Sequence, residues 1–395
     1  VLRLESGVVK QVLLKRQGMQ VLEVFLPETS QTEHAISYSQ EHYEEGEELL
    51  INTTAIRLQL GTGGYHIVVG KSAEKNPVDV YPSTWGHVMK MRYAPWQLAV
   101  DSVEEQHSPY HALFNNEQVS LEGTPVLIGE LHSLLPAVAS AIKQTDSDLR
   151  AVYVMPDAAS LPIGLSQQAD HLKRKGLLGS TVTTGHAWGG DLETVSIHNG
   201  LLAARHVAQA DIILCILGPG VAGTATTFGF SGMQLAEVTH AVSLLGGVPF
   251  FIPRISFSDP RERHLGVSHH TITVLKRFAL RPAIVPVPVW DDERDSRIAW
   301  QMDGICQQTD HLVLRAAAPA EEELDELERM YDLHFSTMGR GWRQDPAPFQ
   351  TAALAGVLAA KSIPYIKDSI SDATNCCVGR DILARLGLFL TRSGV

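Results

Sequence analysis

The sequence predicts an α/β protein: a mainly parallel, Rossmann-like sheet with helices on both faces, preceded by a small N-terminal β-barrel or sandwich module. Three observations carry this reading. Short alternating runs fill the first seventy residues, apolar runs alternate with helix-length segments from about Thr124 onward, and polar residues crowd the ends of those apolar runs. Alternation of period two over a few residues marks half-buried strands, and strand–helix alternation implies right-handed crossovers in a parallel sheet.

The N-terminal runs are Val8–Leu14, Gln20–Leu26, His34–Tyr38, Glu48–Asn52, Ile56–Leu60 and Tyr65–Val69. Gly18, Pro27 and Glu45–Glu47 separate them, and Gly61–Gly64 breaks the pattern. Such spacing suits an antiparallel barrel or sandwich. The acidic group Glu44, Glu45, Glu47 and Glu48 reads as a solvated turn.

In the second part the predicted strands are Pro125–Ile128, Ala151–Met155, Thr181–Thr184, Asp211–Leu217, Val248–Ile255, Ala283–Val289 and His311–Leu314. Helices are expected over Leu134–Lys143, Ser166–Lys175, Leu201–Gln209, Met233–Leu245, Thr271–Phe278, Asp295–Gln307 and Glu321–Tyr331. The organisation follows: a strand-rich module over 1–70, a connecting segment over 71–123, the α/β domain with a ligand cleft over 124–340, and a helical tail over 341–395. Beyond Lys361 the pattern weakens, and whether that stretch belongs to the fold stays open.

The chain has 395 residues, and 44% are hydrophobic against 19% charged. That composition supports a large core and excludes wholesale disorder. Its formal net charge is −12. An acidic balance argues against a general nucleic-acid or anionic-membrane binder. The four cysteines, Cys215, Cys306, Cys376 and Cys377, show no C-x-x-C spacing, and no apolar stretch approaches the ~20 residues of a membrane span. No basic patch precedes an apolar signal segment, although the chain starts at Val1 and not Met. The expectation is a cytoplasmic protein with reduced thiols; a homo-oligomer stays open.

Ligands of an open parallel sheet bind outside the carboxyl ends of its strands. There this sequence places Glu130, His132 and Ser133, then Asp157, then Gly185–Glu193 with His186, Trp188, Asp191 and Glu193. Gly218, Gly220 and Gly223 follow the fourth strand with Thr224, Thr226, Thr227 and Ser231. The fifth strand runs into Arg254, Ser256, Asp259, Arg261, Arg263, His264, Ser268, His269 and His270. Glycines let backbone amides approach an anion, so Gly218, Gly220, Gly223, Thr224 and Thr226 are expected to cradle one, with Arg254 and Arg261 neutralising it. His186, Asp191, Asp259 and His264 are the expected acid–base or metal-binding groups. Gly218-x-Gly220-x-x-Gly223 also matches a dinucleotide fingerprint, and Arg254 in place of an acidic ribose partner would suit a 2′-phosphate. A tight turn without ligand is the structural alternative. His269 and His270 fall where a helix would start, which favours the neutral imidazole. No H-E-x-x-H, Walker or G-x-S-x-G motif occurs.

Several stretches together resemble an uncharacterised bacterial family, the domain of unknown function numbered 3866. They are Ile51–Ala55, Leu60–His66, His87–Tyr93, Gly185–Glu193, Gly218–Gly232 and Arg254–Thr271, spanning the chain to about residue 350. Trp188 stands where that family's pattern has Phe, and Ala158 and Ala159 stand where it has glycines. The resemblance implies a strand-rich module joined to a larger α/β part and supplies no activity. Three functions stay open: an enzyme acting on a small phosphorylated or nucleotide-like anion, an NADP-type oxidoreductase, and a non-catalytic metabolite sensor or scaffold. A divalent metal and a nucleotide both stay open as cofactors.

Overall fold

A computed structural model describes residues 2–16, 19–37, 42–59, 64–72 and 86–370, with side chains to residue 366. Tyr38, Leu60–Gly63, Cys376 and Cys377 lie outside the described residues, as does the tail from residue 371. The chain divides into two compact units, Val1–Ser108 and Pro109–Val395. That boundary falls inside the segment set aside in the sequence as connecting.

In the first unit, β1 (Leu4–Arg16), β2 (Met19–Leu26), β3 (Gln31–Ser37), β4 (Glu48–Asn52) and β5 (His66–Lys71) close into a barrel of order β1-β2-β3-β5-β4. All pairs are antiparallel except β3 with β5. Alternate residues Leu22, Val24 and Leu26 point inward with Val9, Leu49 and Ile51. Closure leaves β1 paired on both sides, which removes the free edges a five-stranded sheet would otherwise present. Of the strand expected over Ile56–Leu60, the described residues 56–59 are not a strand. Its first residues belong to α1 (Thr54–Arg57), because Asn52 Oδ1 accepts the Thr54 amide at 3.0 Å and turns the chain. Arg57 then reaches back to Glu5 and Glu33. Burial alone would raise the Glu5 carboxyl, but Arg57 and Thr53 outweigh it and hold it below the usual range. A hairpin of β6 (Val88–Lys90) and β7 (Leu98–Val100) completes this unit.

The second unit begins with the short α2 (His111–Phe114). Then follow β8 (Pro125–Gly129), α3 (Leu135–Thr145), β9 (Ala151–Met155), α4 (Gln167–Arg174), β10 (Ser180–Thr183), β11 (Leu192–Glu193), α5 (Ile197–Leu202), β12 (Ile212–Ile216), α6 (Gln234–Leu244) and β13 (Val248–Phe251). Next come β14 (Ile255–Ser256), β15 (Gly266–Val267), α7 (His269–Thr273), β16 (Ile284–Val289), α8 (Glu293–Cys306), β17 (Leu312–Ala317), α9 (Glu321–Tyr331), β18 (Ser336–Thr337), β19 (Arg340–Gly341) and α10 (Ala347–Ile370).

Eight strands form one parallel sheet of order β11-β10-β9-β12-β8-β13-β16-β17. Its central strands are buried throughout, which explains their continuous apolar runs. Helices α3, α4, α9 and α10 group over one face, and α5, α6, α7 and α8 over the other. The Rossmann-like expectation therefore holds. Pro286 and Pro288 lack an N–H, and β16 pairs β13 only at Ile284 while its ladder to β17 runs full length.

The tail expected to be helical over 341–395, and weakly patterned beyond Lys361, contains α10, the longest helix among the described residues. Its pattern is weak because most of its residues are buried, so no polar face marks a period. Gly356 lets α10 approach α3: a Cβ there would lie 2.8 Å from the Val138 carbonyl oxygen. The chain from β8 leads by α3 to β9, and the chain from β12 leads by α6 to β13, in opposite directions across the sheet. The strand order thus reverses between β12 and β8, and ligands of such sheets bind outside the carboxyl ends of the strands at that point.

Leu358 is wholly buried in the α10 core. Leu358→Ala should lower unfolding stability by about 2–5 kcal/mol, read from the urea midpoint. An unchanged midpoint would mean that α10 is not part of the cooperative core.

Candidate functional site at the carboxyl rim of the sheet

Glu130 follows β8 directly and is buried. Its Oε1 accepts from His270 Nδ1 at 2.6 Å and from Arg254 Nη1 at 3.2 Å. Gly232, just before α6, crowds the same carboxylate: a Cβ there would lie 3.2 Å from Glu130 Cγ. Beyond β13, the antiparallel pair β14–β15 carries Asp259, Arg261 and His264 on its connecting loop. Ser268 then caps α7, accepting the His270 amide at 3.2 Å. The Arg254 backbone ties the two segments, donating its amide to Thr271 Oγ1 at 3.0 Å and accepting the Ser268 amide at 2.8 Å.

This local folding gathers His264, His269 and His270. Each offers a ring nitrogen within 4.8 Å of the other two. Nδ1 of His264 meets Ser268 Oγ at 2.7 Å, and Nδ1 of His270 is engaged by Glu130. In both rings that leaves Nε2 for a ligand. His269 Nε2 is buried with no hydrogen-bond partner. Phe230 stacks flat on His270 with centroids 3.8 Å apart. Burial, reinforced by the Arg254 and Arg261 charges, pushes His264 down to about 3, and burial with the nearby His270 lowers His269. Both rings are neutral at physiological pH, the form a metal requires. For His269 the neutral imidazole expected from the helix start has a different first cause, desolvation by burial.

Asp259 is buried and clamped by Arg261, which donates Nε to Oδ1 at 2.9 Å and Nη2 to Oδ2 at 2.7 Å. Arg254 stands 3.6 Å and Arg340 3.8 Å from the same carboxylate. Arg261 and Asp259 hold one another ionised, with the Asp259 carboxyl well below its ordinary range.

The glycine loop enters from the neighbouring strand. Gly218 is confined, since a Cβ would lie 3.0 Å from Met155 Sδ. Gly220 has φ +84°, a left-handed turn. Gly223 bridges to Phe230, and a Cβ on it would lie 3.6 Å from His270 Cε1. The loop thus meets the histidine cluster. Its hydroxyls are turned inward on the loop itself. Thr224 Oγ1 lies 2.9 Å from Thr226 Oγ1 and donates to the Gly229 carbonyl at 3.0 Å, while Thr226 Oγ1 accepts the Gly229 amide at 3.1 Å.

Asp191 stands elsewhere. It binds Lys173 at 2.5 Å, the Thr181 amide at 2.9 Å and the Thr181 and Ser180 hydroxyls, beside the first residues of β10 rather than its carboxyl end. Burial would raise its carboxyl, yet Lys173 and Thr181 hold it down. His186 sits on the carboxyl rim, with its backbone amide on Asp157 Oδ2 at 2.9 Å. Asp157 Oδ1 in turn accepts from Gln234 Nε2 at 2.9 Å. The sequence placed Glu130, His269 and His270 on this rim, the two histidines as neutral imidazoles, but assigned Glu130 no role and did not single out Phe230.

His132 latches the base of the glycine loop. It is buried, with Nε2 2.6 Å from Ser166 Oγ and Nδ1 3.3 Å from the Leu217 carbonyl oxygen.

The match of one family model to residues 34–356 covers the whole histidine cluster and most of both units. The chain belongs to the DUF3866 family of proteins of unknown function. No curated protein matches it. In this DUF3866 chain, no helix among the described residues is long and apolar enough to cross a membrane.

Burial lowers His132 to about 4, below its unfolded value of about 6.5. Its neutral form therefore contributes stability that is present above pH 6.5 and lost as pH falls towards 4, about 3 kcal/mol in all. The stability gap between wild type and His132→Phe should shrink by that amount between pH 7.5 and 4 in urea titrations. A gap independent of pH would show that His132 does not titrate with unfolding.

Proposed function

We propose that this protein is a metal-dependent α/β enzyme acting on a small anionic substrate, such as a phosphate ester or nucleotide, in the crevice at the carboxyl ends of β8, β12 and β13. One observation carries the reading. Three histidines converge their ring nitrogens, one Nε2 is buried without a partner, and a buried glutamate orients a second ring through its other nitrogen. A carboxylate behind a ligating histidine fixes the tautomer and raises ligand basicity. Three protein nitrogens leave coordination positions open, where a divalent ion of the zinc class would polarise a substrate oxygen.

The rest of the crevice supports an anionic substrate. Arg261 keeps part of its guanidinium towards solvent, and Arg263 is exposed on the same loop. The Gly220–Phe228 stretch supplies a half-buried to exposed backbone wall beside His270. A dinucleotide oxidoreductase has less support, because the Arg254 guanidinium already serves Glu130 and stands close to Asp259. A scaffold that docks partners by strand addition is also less favoured, since the barrel is closed. A cytoplasmic setting fits the exposed free thiol of Cys306.

The test is metal binding and turnover by the full chain, stripped with chelator and reloaded. Glu130→Gln should weaken zinc or cobalt binding roughly 10–100-fold by releasing His270. The double variant His264→Ala/His270→Ala should lose one ion per chain and all turnover against a panel of phosphate esters and nucleotides. Unchanged metal content in the double variant would end the proposal.

A further inference from the structure

A second group of metal-ligating side chains lies in the first unit. His87 precedes β6, and Asp101 follows β7 directly. The pairing of Val88 with Val100 brings those two positions together at the open end of the hairpin. Gly86 permits the approach, since a Cβ there would lie 2.2 Å from the Val100 carbonyl oxygen. Two successive turns follow. The Glu105 amide bonds the Ser102 carbonyl at 3.0 Å and the Ser108 amide bonds the Glu105 carbonyl at 2.9 Å, which returns Glu105 and His107 to the same spot.

There His107 Nε2 lies 3.1 Å from Asp101 Oδ1 and 3.4 Å from Glu105 Oε2. His87 Nδ1 lies 3.8 Å from the same Glu105 oxygen. Bonds of about 2.0–2.1 Å to a tetrahedral ion put its ligands roughly 3.3 Å apart, close to these separations. The Glu105 side chain is only 9% exposed, and its other oxygen accepts the His87 amide at 2.7 Å. Yet Oε2 is buried with no hydrogen-bond partner. A buried anionic oxygen left unpaired is costly, and an ion at the centre would satisfy it. A protonated His107 would answer Asp101, but the His87 ring would still stand too far from Glu105 for a hydrogen bond.

We propose that His87, Glu105 and His107, whose ligand atoms all lie within 4.8 Å of one another, hold a zinc ion as a second site, with the Asp101 carboxylate beside His107. Two carboxylates balance the charge of a divalent ion, and two imidazoles favour zinc over magnesium or calcium. The three ligands come from the residue before β6 and from the turns after β7, so the ion pins the open end of the β6–β7 hairpin to the segment that follows.

The test is calorimetric titration of zinc chloride into the chelator-stripped full chain carrying His264→Ala/His270→Ala, which removes two of the three crevice histidines. One zinc per chain should bind, and adding either His107→Ala or Glu105→Gln should weaken binding roughly 100-fold or more. His107 is half exposed and Gln is isosteric with Glu, so neither change should disturb folding. In the otherwise wild-type chain the same substitutions should remove one equivalent and leave the crevice ion in place. Absence of zinc binding in the double-variant background would overturn the proposal, as would unchanged affinity in either added variant. Neither result bears on the crevice, whose own failure is read from the wild-type chain losing no ion on His264→Ala/His270→Ala.

Discussion

A buried carboxylate must be paired, and Glu130 is paired on two sides. Arg254 neutralises it and His270 donates to it, so the end of β8 is tied to both segments that follow β13. The constraint is reciprocal. Removing Glu130 would leave Arg254 to Asp259 alone and free the His270 ring to turn. Breaking a buried pair costs more than the pair contributes, because the charge left behind has no water to answer it. The geometry of the crevice therefore rests on one side chain that need not touch substrate.

Around that tie the surroundings limit what each histidine can do. Phe230 fixes the plane of His270, Ser268 fixes the tautomeric partner of His264, and burial keeps His264 and His269 uncharged. Such rings cannot shuttle protons near neutrality as easily as an exposed histidine would. They suit ligation better than acid–base exchange. Asp259, clamped by arginines, is likewise suited to ordering the loop and poorly suited to accepting a proton.

The first unit follows other rules. Its barrel is small, and it carries partly buried ion pairs of Arg57 with Glu5 and Glu33, with His66 hydrogen-bonded to Glu33. Its hairpin carries the second histidine–carboxylate group. That group was not legible in sequence because its members are ordinary surface residue types with no motif spacing. They meet only through the register of β6 with β7 and the two turns after it. His264, His269 and His270, by contrast, sit within seven positions of one another. The crowding of that stretch was plain before any coordinates. Asp191 and His186 looked equally promising as residues of a strand-end loop. The pairing of β11 with β10 instead sets Asp191 beside Thr181, nearer the start of the strand than its end.

By itself the sequence determined the division into a barrel and a parallel α/β sheet, the position of most strands, and the rim on which polar residues collect. Those follow from local periodicity and from runs too apolar to be solvated. Tertiary structure alone decided which rim residues meet. Glu130 and His270 are separated by 140 positions, and they touch because β8 and β13 are neighbours in the sheet. Strand order is a choice among whole-chain packings, and no local pattern of residues encodes it. The same holds for the packing of α10: the sequence indicated a helical tail, but burial on nearly every side of the described part left no polar face to say how it docks.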